Sequence, residues 1–203
     1  MENMEYKLQI PISENEVRNL RIGDVVYLKG LVYTFRDMGH RRALELAEKD
    51  EKLPVELYRK AVFHCGPIMK KENGKWFCIS AGPTTSSRLN YIEPVFIKKF
   101  RPSAIIGKGG MDKKTLDALE EVSCVYLAAT GGTAVALAKR ITDVKGVFWY
   151  DLGMPESLWV LEVKNFGPLI VAMDAHQGSI YDEVSKKVKI NETKVRKKLA
   201  SYL

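Results

Sequence analysis

The sequence predicts a mixed α/β fold in which a mainly parallel central sheet is flanked by helices. From residue 104 onward, short apolar runs alternate with segments of helical spacing, which is typical of a parallel sheet covered by helices. Residues 6–12 and 25–34 are rich in β-branched and aromatic side chains, so they predict an additional strand-rich layer at the N-terminus. We expect one domain over residues 1–183, because the chain is long enough for one substantial core.

The first predicted elements are two strands separated by a short capped helical turn over residues 13–20. Pro11 indicates that the first strand ends at a sheet edge, because proline cannot donate a hydrogen bond to a neighbouring strand. After the second strand, residues 40–51 have helical spacing and Asp37 is a suitable N-cap. Arg36 is therefore expected at a strand-to-helix junction.

The middle of the chain is predicted to contain a hairpin and an interrupted helix. Residues 61–65 and 75–80 have strand composition, and Asn73-Gly74 between them is a strong hairpin signal. The second strand of this hairpin would end just before Gly82. Residues 85–100 have a broadly helical pattern that Pro94 should break or kink.

The last third continues the alternation of helices and strands. In order, we expect a helix at residues 112–121, a strand at 124–128, a helix at 133–141, a strand at 145–150 and a strand pair around Asn165–Pro168. Residues 184–203 are strongly basic and predict a helical C-terminal tail with a solvated polar face, or a docking surface for a partner.

The composition indicates a soluble protein, which we expect to be cytoplasmic. No apolar run approaches the roughly 20 residues needed to span a bilayer, and no basic leader precedes an apolar segment. The formal net charge of +7 fits an anionic substrate, an acidic protein partner or nucleic acid. Composition alone does not separate these three.

The three cysteines, Cys65, Cys78 and Cys124, are expected to be reduced and structural. Three thiolates are the number that would leave one iron of a 4Fe-4S cluster open. However, no two of them are close in sequence, and Cys124 lies in an apolar segment that predicts a buried strand.

Two glycine-rich segments carry the clearest functional signal. Gly82-Pro83-Thr84-Thr85-Ser86-Ser87-Arg88 places hydroxyls and a guanidinium beside a turn, and Gly107-Lys108-Gly109-Gly110-Met111-Asp112 follows an apolar strand. Small hydroxyl residues can cap a helix whose free N–H groups face an anion. Open sheets bind ligands at the carboxyl ends of their strands, where Lys108 is expected. The two segments together predict a site for a small, multiply charged anion.

These segments resemble a known family. Together with Thr34-Phe35-Arg36-Asp37 and Gly153-Met154-Pro155-Glu156-Ser157-Leu158-Trp159, they occur in the order and spacing found in the beta subunit of class I fumarate hydratase and L-tartrate dehydratase. The resemblance runs from about residue 5 to about residue 182. It departs from the family pattern at Ser86-Ser87, where Ala or Gly is expected at one position.

The resemblance implies the fold, the reaction and the partner. It implies a swivelling β/β/α domain and a two-subunit hydro-lyase that adds water to, or removes it from, a four-carbon dicarboxylate. In this family the alpha subunit holds a 4Fe-4S cluster and the beta subunit supplies the opposite wall of the site. The chain alone is then expected to be inactive, and to expose an apolar patch to the alpha subunit. Fumarate or malate is the favoured substrate pair, with tartrate and oxaloacetate next.

Arg36, Arg88 and Lys108 are the candidate substrate-binding charges. Two guanidinium forks match the two planar ends of a dicarboxylate, and an ammonium adds a compact point charge. The resemblance implies that Thr84 takes part in proton transfer. An alcohol is a very poor base at neutral pH, so this role requires nearby positive charge, for which Lys108 and Arg88 are candidates. Without the resemblance, Thr84 and Thr85 are more often N-cap or turn residues, and most Lys and Arg side chains are solvated.

Three glycine and threonine positions complete the predicted substrate-binding set: Thr85, Gly107 and Gly109. The histidines His40, His64 and His176 have no second ligand at metal spacing, so no metal site is expected within this chain. Only His40, near Arg36, is kept as a substrate neighbour.

Two other functions remain open from the residues alone. A nucleic-acid-binding module would use the basic tail, but the sequence has no basic stripe interleaved with aromatic residues. A stand-alone small-anion-binding domain would keep the pocket without the chemistry.

Overall fold

The computed structural model describes residues 4–200, with the backbone alone for residues 193, 194 and 197–200. The strands are β1 (Glu5–Gln9), β2 (Val25–Phe35), β3 (Ala61–His64), β4 (Ile68–Glu72), β5 (Lys75–Ser80), β6 (Ala104–Gly107), β7 (Val125–Ala128), β8 (Ile141–Phe148) and β9 (Leu158–Met173). The α-helices are α1 (Glu14–Asn19), α2 (Asp37–Glu48), α3 (Glu93–Phe100), α4 (Lys113–Val122), α5 (Ala134–Ala138) and α6 (Ile180–Ala200), and 3₁₀ turns cover Ser86–Leu89 and Tyr150–Leu152.

Seven of the described strands form one mixed sheet in the order β1-β2-β3-β6-β7-β9-β8. The neighbours from β1 to β7 pair in parallel, whereas β9 runs antiparallel to β7, β8 and β2. Because β9 pairs with both β2 and β7, the strands β2-β3-β6-β7-β9 form a closed ring. The predicted α/β class is confirmed, and the sheet contains both parallel and antiparallel strands.

Both faces of the central strands are buried, so two cores form. Along β3, Ala61 and Phe63 enter the core that β9 and the N-terminal segment close, while Val62 enters the core beneath α2, α3 and α4. Residues on successive positions of a strand point to opposite faces, which explains the alternation. Each fully buried Val or Phe contributes roughly 1.5–3 kcal/mol of transfer free energy.

The predicted hairpin partner of residues 75–80 is wrong. Asn73-Gly74 does form the turn, but β5 pairs with β4, and β3 lies in the main sheet between β2 and β6. All four β3 residues are buried, which is typical of a central parallel strand rather than of an exposed hairpin.

The strand pair predicted around Asn165–Pro168 is also wrong, because β9 runs without interruption through this segment. Gly167 has φ +156° and no room for a Cβ, which would lie 2.7 Å from the Val26 carbonyl oxygen. The glycine therefore permits a close strand approach instead of a turn. Several boundaries also differ: Asp37 is the first helical residue of α2 rather than its cap, α5 ends at Ala138, and β8 runs from Ile141 to Phe148.

The helix α6 follows the last strand and includes most of the predicted basic tail. The side chains of Lys194, Lys197 and Lys198 and residues 201–203 lie outside the described part of the chain. None of the helices within residues 4–200 combines the length and the apolar character that a bilayer crossing requires.

Candidate active site

The predicted site residues lie where neighbouring parallel strands end. Arg36 directly follows β2, and Lys108 directly follows β6. The strand β3, which ends at His64, lies between them. Since the carboxyl ends of parallel strands meet at one edge of a sheet, these positions are neighbours despite their separation in sequence.

Backbone hydrogen bonds join the two glycine-rich segments directly. The Lys108 N–H donates to the Thr84 carbonyl at 3.3 Å, and the Ser86 N–H donates to the Lys108 carbonyl at 3.0 Å, so Thr85 and Lys108 form an isolated parallel bridge. The Thr84 N–H donates to the His64 carbonyl at 2.6 Å. Thr85 is exposed, and Thr84 and Lys108 are partly exposed. The structure therefore brings together three of the predicted residues.

Arg36 is held from two sides. Its Nε lies 3.3 Å from Glu156 Oε1, and a Cβ on Gly66 would lie 2.7 Å from its Nη1. The Nε is buried and makes no well-aligned hydrogen bond within the described residues, so the contact with Glu156 is chiefly ionic. Glu156 in turn accepts a hydrogen bond from the Met38 N–H at 2.9 Å. Glu156 lies in one of the four family segments, but its role was not predicted from the sequence.

Arg88 lies on the 3₁₀ turn after the hydroxyl-rich segment. Its Nη2 donates to Asp37 Oδ2 at 2.9 Å, and Asp37 is the residue that follows Arg36. Arg88 is 53% exposed, so the guanidinium remains accessible to a ligand. The ion pair places both predicted guanidinium residues at the N-terminal end of α2.

The two predicted glycines serve different purposes. A Cβ on Gly107 would overlap Ser86 Oγ and lie 2.9 Å from the Tyr126 hydroxyl, so the strand end needs glycine for close packing. Gly109 has φ +74° and open space around it, so its glycine is explained by the left-handed backbone. Gly107 is buried, and its contribution to a site is through the shape of the loop.

An open depression with a volume of about 440 Å³ adjoins Lys108. Thr85, Gly109, Gly131 and Tyr181 also line it. Tyr181, at the start of α6, packs against Gly110, where a Cβ would lie 2.8 Å from its ring. Arg36 and Arg88 do not line this depression. A larger depression of about 610 Å³, between the ends of α2 and α3, contains none of the predicted site residues.

Sequence reasoning missed a buried cluster below the site. His40, His64 and Glu93 are all 0% exposed, and Glu93 Oε2 lies 3.1 Å from His40 Nε2 and 3.2 Å from His64 Nε2. His40 therefore lies beneath the site surface instead of facing a substrate from it. Spacing along the chain gave no signal, because three separate elements, α2, β3 and α3, supply the side chains.

The cysteines do not fit the ligand set of an iron–sulfur cluster. Cys65 and Cys124 are buried in different cores, and Cys78 lies on the hairpin strand β5. Burial raises the pKa of all three thiols, that of Cys78 to about 11, which disfavours the thiolate that a cluster requires.

Comparison with known proteins identifies the class. Residues 1–184 match the family model described as "Fumarase C-terminus", and the chain belongs to this family. A similar protein is "Putative L(+)-tartrate dehydratase subunit beta" of Methanocaldococcus jannaschii, 52% identical over 93% of this chain and 98% of that protein. "L(+)-tartrate dehydratase subunit beta" of Escherichia coli K12 is 41% identical over 88% of both chains.

A third relative is longer than this chain. "Putative fumarate hydratase class I" of Geobacillus stearothermophilus is 44% identical over 88% of this chain but only 34% of its own length. The family resemblance expected from the four sequence segments is thus confirmed.

Proposed function

We propose that this chain is the beta subunit of a two-subunit hydro-lyase that hydrates or dehydrates a four-carbon dicarboxylate. The observation that carries the proposal is the backbone bridge between the Thr84-Thr85 segment and Lys108 at the sheet edge that also holds Arg36. The names of the relatives support the same reaction class. The finer fold assignment, a swivelling β/β/α domain over residues 1–183 followed by a basic tail, is part of this proposal.

Arg36 and Arg88 bind the two carboxylates of the substrate. A guanidinium presents paired N–H donors that match both oxygens of a carboxylate, and Glu156 and Asp37 orient the two groups. Lys108 adds a point charge beside Thr84. Thr85 and the turn at Gly109 complete the substrate-binding surface.

Thr84 moves the proton at the substrate carbon. A hydroxyl gives up its proton only where positive charge stabilises the alkoxide, and Lys108 is fixed to Thr84 through the backbone bond between them. Lys108 thus takes part in catalysis as well as in binding.

The proposal places a 4Fe-4S cluster on the alpha subunit. Burial disfavours the thiolate form of all three cysteines of this chain, so they do not suit such a cluster. Every step assigned to this chain uses its own side chains. The chain is therefore expected to lack activity alone.

An apolar surface on the hairpin supports the proposed partnership. Ile68, Phe77 and Ile79 are 60%, 47% and 49% exposed, and they lie on the solvent-facing side of β4 and β5. Large exposed apolar side chains that cluster on one surface often mark an interface. We assign this hairpin surface to the alpha subunit.

The described contacts suit any four-carbon dicarboxylate. The carbon frame is the same in fumarate, malate and tartrate, and no residue of the sequence separates them; fumarate or malate is favoured because a central metabolic reaction is the commoner use. The two relatives that match almost end to end are named for tartrate, so both substrates are compared in the test below.

The test is anaerobic co-expression of this chain with its alpha subunit and an absorbance assay with fumarate, malate and tartrate. We expect turnover only with both chains, and a loss of at least about a hundredfold in kcat for Thr84→Ala, since general acid–base groups contribute that much. Thr142→Ala is the matched control, because Thr142 is an exposed threonine on the edge strand β8 whose hydroxyl donates to the Glu162 carbonyl. A complex with an intact cluster and no turnover of any of the three substrates would refute the proposal.

A further inference from the structure

The buried cluster below the site can be assigned a proton arrangement from its hydrogen-bond partners. His40 Nδ1 lies 2.8 Å from the Arg36 carbonyl oxygen, which can only accept, so Nδ1 carries a proton. His40 Nε2 faces the Glu93 carboxylate and also carries a proton when Glu93 is ionised. His40 is then an imidazolium that balances the charge of Glu93.

The partners of His64 assign a neutral ring. The Tyr126 hydroxyl donates to Ser86 Oγ at 2.9 Å, and Ser86 Oγ lies 2.9 Å from His64 Nδ1. The serine hydroxyl can therefore donate to Nδ1, which leaves the proton of His64 on Nε2, facing Glu93. The charges of the whole cluster then sum to zero, as a fully buried group requires.

The direction of the Glu93 pKa agrees with an ionised carboxylate. Burial opposes ionisation of the carboxyl, but the facing His64 and His40 rings more than offset it and hold the pKa of Glu93 below its ordinary value. The contacts are short but not well aligned as hydrogen bonds, and Glu93 Oε1 has no hydrogen-bond partner among the described residues. The attraction between the Glu93 carboxylate and the charged His40 ring, together with the Nε2–H of His64 that faces the same oxygen, keeps the three side chains together.

The cluster is attached to every segment that supplies a proposed site residue. His40 binds the backbone of Arg36, and the His64 carbonyl accepts from the Thr84 N–H. Ser86 donates its N–H to the Lys108 carbonyl while its hydroxyl contacts His64. A shift of Glu93 would therefore be transmitted to the end of β2, to the segment at residues 82–88 and to the end of β6.

We propose that Glu93, His40 and His64 are positioning residues that hold Arg36, Thr84 and Lys108 in their catalytic arrangement. The proposal rests on the proposed function for its effect on turnover. The positioning itself is a property of this chain and can be measured without turnover. Glu93→Gln is the informative variant, because it removes the charge and keeps the volume.

Asp174→Asn is the matched control. Asp174 is also a buried carboxylate, and it accepts backbone hydrogen bonds from Ile22, His176 and Gly178. It follows the end of β9 that pairs with the start of β7, at the opposite edge of the sheet from Lys108. The control thus perturbs a buried carboxylate whose hydrogen bonds go to Ile22, His176 and Gly178 and to none of the proposed site residues.

The first measurement is nuclear magnetic resonance on the full chain alone. We expect Glu93→Gln to move the backbone amide signals of Arg36, Thr84 and Lys108, and Asp174→Asn to leave them in place. Long-range ¹⁵N spectra should show both ring nitrogens of His40 protonated in the wild type and only one in Glu93→Gln. Unmoved amide signals in Glu93→Gln would overturn the proposal whatever the enzyme does.

The second measurement is kinetic, on the complex with the alpha subunit. Glu93→Gln should lower kcat by about tenfold or more, since small misplacements of catalytic groups have effects of this size or larger, while Asp174→Asn should stay within about twofold at equal thermal stability. Equal losses of kcat for the two variants would mean that the cluster only stabilises the fold and does not position the site residues. A wild-type complex without turnover would refute the proposed function, and the amide signals would still decide the positioning.

Metal analysis of the full chain provides a third outcome. The three ligand atoms lie close enough to hold an ion, but ring nitrogens that bind a metal carry no proton. One equivalent of bound metal that is lost in Glu93→Gln would therefore overturn the protonated arrangement.

Discussion

Arg88 is bonded to Asp37, the residue directly after Arg36, through a 2.9 Å contact between Arg88 Nη2 and Asp37 Oδ2. This contact orients one predicted carboxylate-binding group against the segment that carries the other. Arg88 is half exposed, and exposed ion pairs contribute only about 0–1 kcal/mol to folding. The contact therefore matters for the direction of the guanidinium more than for stability.

Arg88→Lys should raise KM by about tenfold, with a smaller effect on kcat. The ammonium keeps the charge but loses the planar pair of donors, and a charged hydrogen bond is worth roughly 1.5–3 kcal/mol. Steady-state kinetics of the complex measures the change. Arg42→Lys is the control, because Arg42 also forms a surface pair, with Asp151 at 2.8 Å, away from the site. An unchanged KM for Arg88→Lys would remove Arg88 from the binding set.

Gly107→Ala should destabilise the chain by about 1–3 kcal/mol and reduce turnover, because the added methyl overlaps the Ser86 hydroxyl below the strand end. Urea unfolding of the isolated chain measures the stability. Gly146→Ala, on β8, is the control, since its nearest neighbour would be 3.7 Å from the new Cβ. Equal stability of the two variants would show that the Ser86 network can move aside.

Glu156→Gln should raise KM several-fold and lower stability by roughly 1–3 kcal/mol, because the pair with Arg36 is largely buried. The amide oxygen can still accept from the Met38 N–H, but the negative charge 3.3 Å from Arg36 Nε is lost. Kinetics of the complex and thermal unfolding are compared. Glu162→Gln, which breaks the exposed pair with Lys145, should leave KM unchanged. If both variants behave alike, Glu156 does not orient Arg36.

The stability difference between the wild type and Glu93→Gln should depend on pH in the acid range. The pKa of Glu93 is lower in the folded chain than its ordinary value of 4.5, so its contribution is full above that value and is lost as pH falls below it. We expect about 3–5 kcal/mol near neutral pH, as for the loss of one partner of a buried ion pair.

Unfolding by urea between pH 3 and pH 7 measures this dependence. His40 and His64 face Glu93 directly, so the proton that His40 is expected to lose in Glu93→Gln adds to the measured difference. Tyr126 and Cys124, which also interact with Glu93, have pKa values raised by burial and stay neutral throughout this range. Glu121→Gln, in the exposed pair with Lys98, should change stability by less than about 1 kcal/mol at any pH. A pH-independent difference for Glu93→Gln would contradict the ionised state of Glu93.

Local patterns predicted where the candidate site residues lie in the fold better than they predicted the buried network beneath them. The junctions at Arg36 and Lys108 follow from a strand composition that ends next to a helical or glycine-rich segment, which a short window of sequence can show. The cluster of Glu93, His40 and His64 depends on how α2 and α3 pack on β3, and no local pattern contains that information.

The two wrong strand assignments have different physical causes. At Asn165–Pro168, turn-forming residues lie inside a continuous strand, because Gly167 is needed for close packing against β2. The hairpin turn at Asn73-Gly74 was predicted correctly, but residues 61–65 were predicted as its first strand, whereas that strand is β4. The continuous apolar run of β3 was the available signal for a central strand.

The closure of the sheet through β9 has a consequence for how the enzyme is assembled. The four parallel strands β2, β3, β6 and β7 are closed into a ring by β9, which pairs with the first and the last of them, so their ends cannot spread apart without breaking one of its ladders. The chain should therefore arrive at its partner with the spacing of its charged groups already set. Association of the two subunits then only has to align two preformed surfaces. Little of the binding free energy is used to order the site residues of this chain.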